Sequence, residues 1–174
     1  MIEDLKPTWL IEKIYEIQPE DFIRHGFKAV LVDLDNTLIA WNNPDGTPEL
    51  RAWLTLMKQE NLPVVVVSNN NFKRVKKAVA PFDINFISRA MKPFHFGIIR
   101  AIKQLKLSQA EVVFIGDQLM TDIHAANRAG IKSILVKPLV KSDAWVTKLN
   151  RARERRAWSK LARQYDMSYQ DRLE

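Results

Sequence analysis

The chain has 174 residues, 47% hydrophobic and 27% charged, with a net charge of +7 and no cysteine. That length suits one domain burying about 70% of the surface its unfolded chain exposes. Disulfides and thiolate metal sites are excluded, no apolar run is long enough to span a bilayer, and the acidic start MIEDLKPTWL lacks the layout of a secretory leader, so a cytoplasmic chain is expected.

In chain order, Trp9–Ile17 places Trp9, Leu10, Ile14 and Ile17 at helical spacing and predicts a helical lead-in packed on the core. Ala29–Val32 is a continuous apolar run, the pattern of a strand buried on both faces. Pro48–Asn61 carries Leu50, Trp53, Leu54 and Met57 on one helical face. Val64–Val67 is a second strand, and Asn71–Ala80 a helix that opens on Asn. A weaker strand signal covers Ile84–Ile87, and Pro93–Leu105 begins with a favoured first helical residue. The run Val112–Ile115, a helix over Leu119–Ala129 stopped by Gly130, and the run Ile131–Val136 complete the series. Strands alternating with helices predict an α/β fold, a doubly wound parallel sheet of about five strands. Residues 1–140 form this body and residues 141–174 a basic helical tail. Between Lys141 and Arg163, eight basic residues face two acidic ones, so that segment carries +6 of the total charge.

In open α/β sheets the ligand site lies beyond the carboxyl ends of the strands. After Ala29–Val32 come Asp33, Asp35, Asn36 and Thr37; after Val64–Val67 come Ser68, Asn69 and Asn70; after Val112–Ile115 come Gly116, Asp117 and Gln118, with Asp122 beyond. Lys92 stands at a helix start. One Asp after a strand is ordinarily an N-cap or turn former, as Asp45 is in NNPDGT. Asp33, Asp35 and Asp117 at one edge would repel one another, and a hard divalent cation resolves the repulsion. Asp122 either joins that site or serves the dipole of its own helix.

The segment DLDNT, Ser68 after VVVV, Lys92, and GDQLMTD resemble, in order, the four motifs of the haloacid dehalogenase (HAD) superfamily of phosphatases. The stretches LVDLDNTLIAW, SNNN, RAMKPFHFGIIRAI and GDQLMTDIHAANRAG are similar to the YqeG-like group of its subfamily IIIA, which includes phosphatidylglycerophosphate phosphatases. The resemblance implies a nucleophile at Asp33, forming an aspartyl-phosphate, and a general acid and base at Asp35. It implies phosphoryl contacts from the Ser68 hydroxyl and Asn69 backbone, and charge neutralisation by Lys92. Mg²⁺ would be held by Asp33, the Asp35 carbonyl, Asp117 and Asp122. Thr37 is expected to bond backbone near the nucleophile.

Only 30 residues separate Thr37 from Ser68, which leaves no room for a cap domain. An open site suits a phosphate on a lipid, a protein or a nucleic acid end. The family resemblance favours phosphatidylglycerophosphate, with the enzyme peripheral on the inner face of the membrane. The tail, with Trp145 and Trp158 among its arginines, suits anionic head groups. The alternatives are RNA binding beside an idle site, against which the intact motif set argues, or simple docking on the body as a solvated helix. His95, one helical turn beyond Lys92, either approaches a bound phosphate or holds an ordinary helix position.

Overall fold

The computed structural model describes residues 1–140 and 145–174, with side chains described up to 140 and from 150 onward. Six strands form one wholly parallel sheet: β1 (Trp9–Ile11), β2 (Ala29–Val32), β3 (Val64–Val67), β4 (Asn85–Ile87), β5 (Val112–Gly116) and β6 (Lys132–Val136). Their spatial order is β1-β6-β5-β2-β3-β4. From β2 the chain winds one way through β3 and β4, then returns to build β5 and β6 on the other side. The direction of winding therefore reverses between β2 and β5, where a ligand crevice forms in doubly wound sheets.

The helices are α1 (Pro19–Arg24), α2 (Pro48–Gln59), α3 (Phe72–Val79), α4 (Phe96–Leu105), α5 (His124–Arg128) and α6 (Trp145–Ala162). Alternate residues of each strand feed opposite layers. Val30 and Val32 pack with Trp53, Met57, Val75 and Val79 of α2 and α3. Ala29 and Leu31 pack with Ile98, Ala101 and Ala125 of α4 and α5. This two-sided burial explains why β2, β3 and β5 are apolar throughout. Thr47 and Asn71 cap α2 and α3 by accepting from the N–H of Leu50 and Arg74.

The lead-in departs from the helix expected over Trp9–Ile17. Trp9, Leu10 and Ile11 are all buried and pair in parallel with Ile134, Leu135 and Val136, and a short 3₁₀ turn over Ile14–Glu16 follows. The reason is the open edge of β6. A strand there satisfies its backbone groups and buries three consecutive apolar side chains, which one face of a helix cannot do. The sheet gains its sixth strand this way. The chain end then covers β1, where Gln170 N–H donates to Leu10 O at 2.7 Å and Trp9 Nε1 donates to Glu174 O at 2.8 Å.

The tail docks on the body. Ala157 and Leu161 of α6 are buried with Leu5, Leu10, Leu119, Ile123 and Leu135 in a third apolar cluster. Trp158 is half-buried and stacked on Tyr169 at 5.9 Å. The Trp145, Val146 and Leu149 part of the expected stripe lies outside the described side chains. Arg153, Arg156, Lys160 and Arg163 point to solvent.

Leu161→Ala is expected to cost about 2–5 kcal/mol by leaving a cavity in this cluster. Arg163→Ala should stay within about 0.5 kcal/mol of wild type. Urea unfolding midpoints of the two variants check the contrast.

Candidate active site

The site is built where β2 and β5 lie side by side. Val32 pairs with Ile115, and Asp33 N–H donates to Ile115 O at 2.9 Å, so Asp33 leaves the sheet beside Gly116 and Asp117. After Asp117 the chain turns through a π-helical turn, Leu119–Ile123, which turns Asp122 back toward the strand end. Gly116 makes this possible: a Cβ there would lie 2.3 Å from the Asp122 Cβ.

Lys92 enters from the β4 side. Its ammonium donates to Asp33 Oδ1 at 2.6 Å and to Asp122 Oδ1 at 2.7 Å, with only 2% of the lysine side chain exposed. Asn69 holds the Lys92 backbone at both ends, accepting its N–H at 2.8 Å and donating to its carbonyl at 2.9 Å. Further pairs, Ala90 N–H to Ser68 O at 3.0 Å and Arg89 N–H to Asn70 O at 2.8 Å, tie the lysine loop to the end of β3. The Asn69 side chain is thus spent on positioning Lys92, which leaves its backbone for any ligand.

One oxygen from each of Asp33, Asp117 and Asp122 lies within 4.8 Å of the others. Three carboxylates meet one ammonium, so the cluster carries excess negative charge. Burial and the neighbouring Asp122 raise the Asp33 pKa to about 7, against the opposing pull of Lys92. Burial together with Asp122 and Asp33 pushes Asp117 well above the ordinary carboxylate range. Burial works against the Lys92 ammonium, but Asp122 and Asp33 outweigh it and hold its pKa above the ordinary lysine value. A divalent cation fits this donor set, because hard carboxylate oxygens already converge there and their mutual repulsion is what the ion would remove.

The other expected residues fall at graded distances from this centre. Asp35 stands apart from the three-carboxylate cluster: its oxygens accept from Asn70 Nδ2 at 2.7 Å and Arg74 at 3.0 Å. The buried Ser68 hydroxyl oxygen accepts from Asn70 N–H at 3.2 Å. Thr37 differs from expectation, since its hydroxyl donates to Asp117 Oδ1 at 3.1 Å and so orients a carboxylate rather than backbone. His95 lies against Phe96, with ring centroids 4.9 Å apart, and its described contacts do not reach Asp33 or Lys92.

Sequence reasoning missed Glu154. Its two oxygens accept from the N–H groups of Leu119 and Met120 at 2.8 and 2.7 Å, capping the start of the π turn that carries Asp122. Burial raises its pKa, partly offset by those two bonds. The available signal was a lone acid within the Arg-rich RARERR.

Comparisons with known proteins bear on the family and the fold. A profile of HAD-hydrolase-like proteins matches residues 90–159. A candidate haloacid dehalogenase-like hydrolase from Bacteroides fragilis superposes with a TM-score of 0.56 over 70% of this chain and 93% of its own, at 16% identity. An uncharacterized protein from Listeria monocytogenes serotype 4b does so with a TM-score of 0.55 over 67% and 84%, at 18% identity. These likenesses show a shared fold. The probable phosphatase YqeG of Bacillus subtilis (strain 168) is 39% identical over 165 residues, spanning 95% of this chain and 96% of that protein. The chain therefore belongs to the HAD superfamily, in its YqeG-like phosphatase group.

A divalent cation at about 100 times its Kd should stabilise the protein by about 2.7 kcal/mol. Thermal melts with and without the metal should show this shift in wild type and lose it in Asp117→Asn. Gly116→Ala, which forces Asp122 from its place, should likewise weaken the response.

Proposed function

We propose that this chain is a Mg²⁺-dependent phosphatidylglycerophosphate phosphatase working through an aspartyl-phosphate. The observation that carries the reading is the state of Asp33. Lys92 fixes its Oδ1, while Oδ2 accepts none of the described hydrogen bonds and keeps its lone pairs for attack. An Asp33 oxygen bonds to phosphorus as the bond from phosphorus to the leaving oxygen breaks. Asp35 gives that oxygen its proton, having swung away from Arg74 and Asn70. It then takes a proton from the water that attacks the phosphorus and releases inorganic phosphate, freeing the Asp33 carboxylate. Lys92 offsets charge on the nucleophile and phosphoryl group, and Ser68 with the Asn69 backbone holds phosphoryl oxygens. Asp33, Asp117, Asp122 and the Asp35 carbonyl would hold Mg²⁺, which when bound supplies positive charge against the phosphoryl oxygens.

Two observations support a lipid substrate. The loop and helix between Thr37 and Ser68 leave the site without a lid of its own. Trp41, Phe72, Met91, Phe94 and Phe96 are exposed, all in segments leaving the carboxyl ends of β2, β3 and β4. Exposed Lys73 and Arg89 stand among them, a mixture suited to an anionic bilayer on the inner face of the membrane. This shifts the membrane-facing role from the tail, whose Ala157 and Leu161 turn to the core, to the loops around the site. The exposed arginines of α6 favour phosphoprotein or nucleic acid phosphates as the second reading.

Purified protein with Mg²⁺ should release phosphate from phosphatidylglycerophosphate in mixed micelles faster than from phosphopeptides or oligonucleotide ends. Asp33→Asn should lower kcat by at least about 10⁴-fold. Turnover retained by that variant sinks the mechanism, and preference for a peptide or oligonucleotide sinks the lipid assignment.

A further inference from the structure

A cavity of about 350 Å³ opens between α6 and the carboxyl ends of β5 and β6. Asp117 and Asn36 stand on its wall, so it adjoins the carboxylate site directly. Leu119, Val136 and Trp158 supply apolar lining, and the stack of Trp158 on Tyr169 braces that wall. The phosphatase mechanism uses none of these apolar groups.

Among the described residues, two polar groups of the lining residues have no protein partner. Asn36 adopts a left-handed backbone conformation, with φ 61°, and its N–H donates to Ile39 O at 2.7 Å. Its side-chain Oδ1 is buried without a hydrogen bond. An orphan buried acceptor is unfavourable unless a ligand satisfies it. Arg155 lines the cavity, is exposed, and has no carboxylate partner among the described salt bridges. Its sequence neighbour Glu154 also lines the cavity, with both carboxylate oxygens accepting from the N–H groups of Leu119 and Met120 rather than from Arg155.

We infer that this cavity is the leaving-group site, and that it receives the glycerol and phosphodiester of a phospholipid whose terminal phosphate lies at Asp33. The inference rests on the lipid reading above. Three chemical features match three parts of such a ligand. Arg155 meets the phosphodiester anion, the Asn36 amide accepts from the glycerol hydroxyl, and the wall formed by Leu119, Val136 and Trp158 takes the start of the acyl chains. The α6 helix thereby sets specificity instead of serving as a loose basic anchor. A phosphomonoester lacking the second anion and the hydroxyl gains nothing from the cavity.

The test compares kcat/KM for phosphatidylglycerophosphate in neutral-detergent micelles with kcat/KM for p-nitrophenyl phosphate, using full-length protein. Arg155→Glu should lower the ratio of the two at least about tenfold, the loss expected for one charge-assisted contact. Arg163→Glu, equally basic and exposed but outside the cavity, should keep the wild-type ratio. An unchanged ratio in Arg155→Glu overturns the cavity assignment while leaving the lipid reading intact. An equal fall in both variants also overturns it, because general attraction to an anionic surface would then be the cause. Wild-type protein that cleaves p-nitrophenyl phosphate but not the lipid overturns both.

Discussion

The structure depends on one buried ammonium. Lys92 sits between Asp33 and Asp122 at hydrogen-bond distance from both, nearly sealed from water, with Asp117 close by. Three carboxylates at one sheet edge repel one another, and among the described residues Lys92 is the cation that pairs with two of them, Asp33 and Asp122. Much of the surrounding architecture places it. Asn69 grips its backbone, the lysine loop is tied to the end of β3, and Gly116 leaves room for Asp122 to fold back. The cluster nevertheless remains short of positive charge, and that shortage is what suits it to a cation.

The same constraint gives the tail its meaning. Asp122 rides on a π-helical turn whose first N–H groups are capped by Glu154 of α6. Leu161 and Ala157 fix the helix against the layer that holds Leu119 and Ile123. The tail is thus mechanically joined to the loop that carries Asp122 and forms one wall of the cavity beside Asp117. A segment whose charge suggests a general anionic attractor is in this arrangement a structural wall of the site.

The parts legible in the sequence were those set by local pattern. The apolar runs at β2, β3, β5 and β6 read as two-sided strands because alternate residues of each serve different helical layers, and all four became strands. The order of acidic and basic groups after those runs identified Asp33, Lys92, Asp117 and Asp122, which the fold brings together. What was not legible depended on distant segments. Trp9–Ile11 became a strand because β6 left an open edge, a fact absent from its own helical spacing. Thr37 turned to Asp117, and Glu154 to the π turn, through contacts between residues 80 and about 35 positions apart. Asp35 was expected at one edge with Asp33 and Asp117 from its place after β2, yet Arg74 and Asn70 draw its carboxylate toward α3.

The central claim is that Asp33 carries the phosphoryl group covalently. Borohydride quenching during turnover reduces an aspartyl-phosphate to homoserine, which peptide mass spectrometry locates. The account predicts homoserine at position 33 in wild-type protein, dependent on substrate and absent from Lys92→Ala. Steady turnover with Asp33 unmodified, or homoserine at another aspartate, would contradict it.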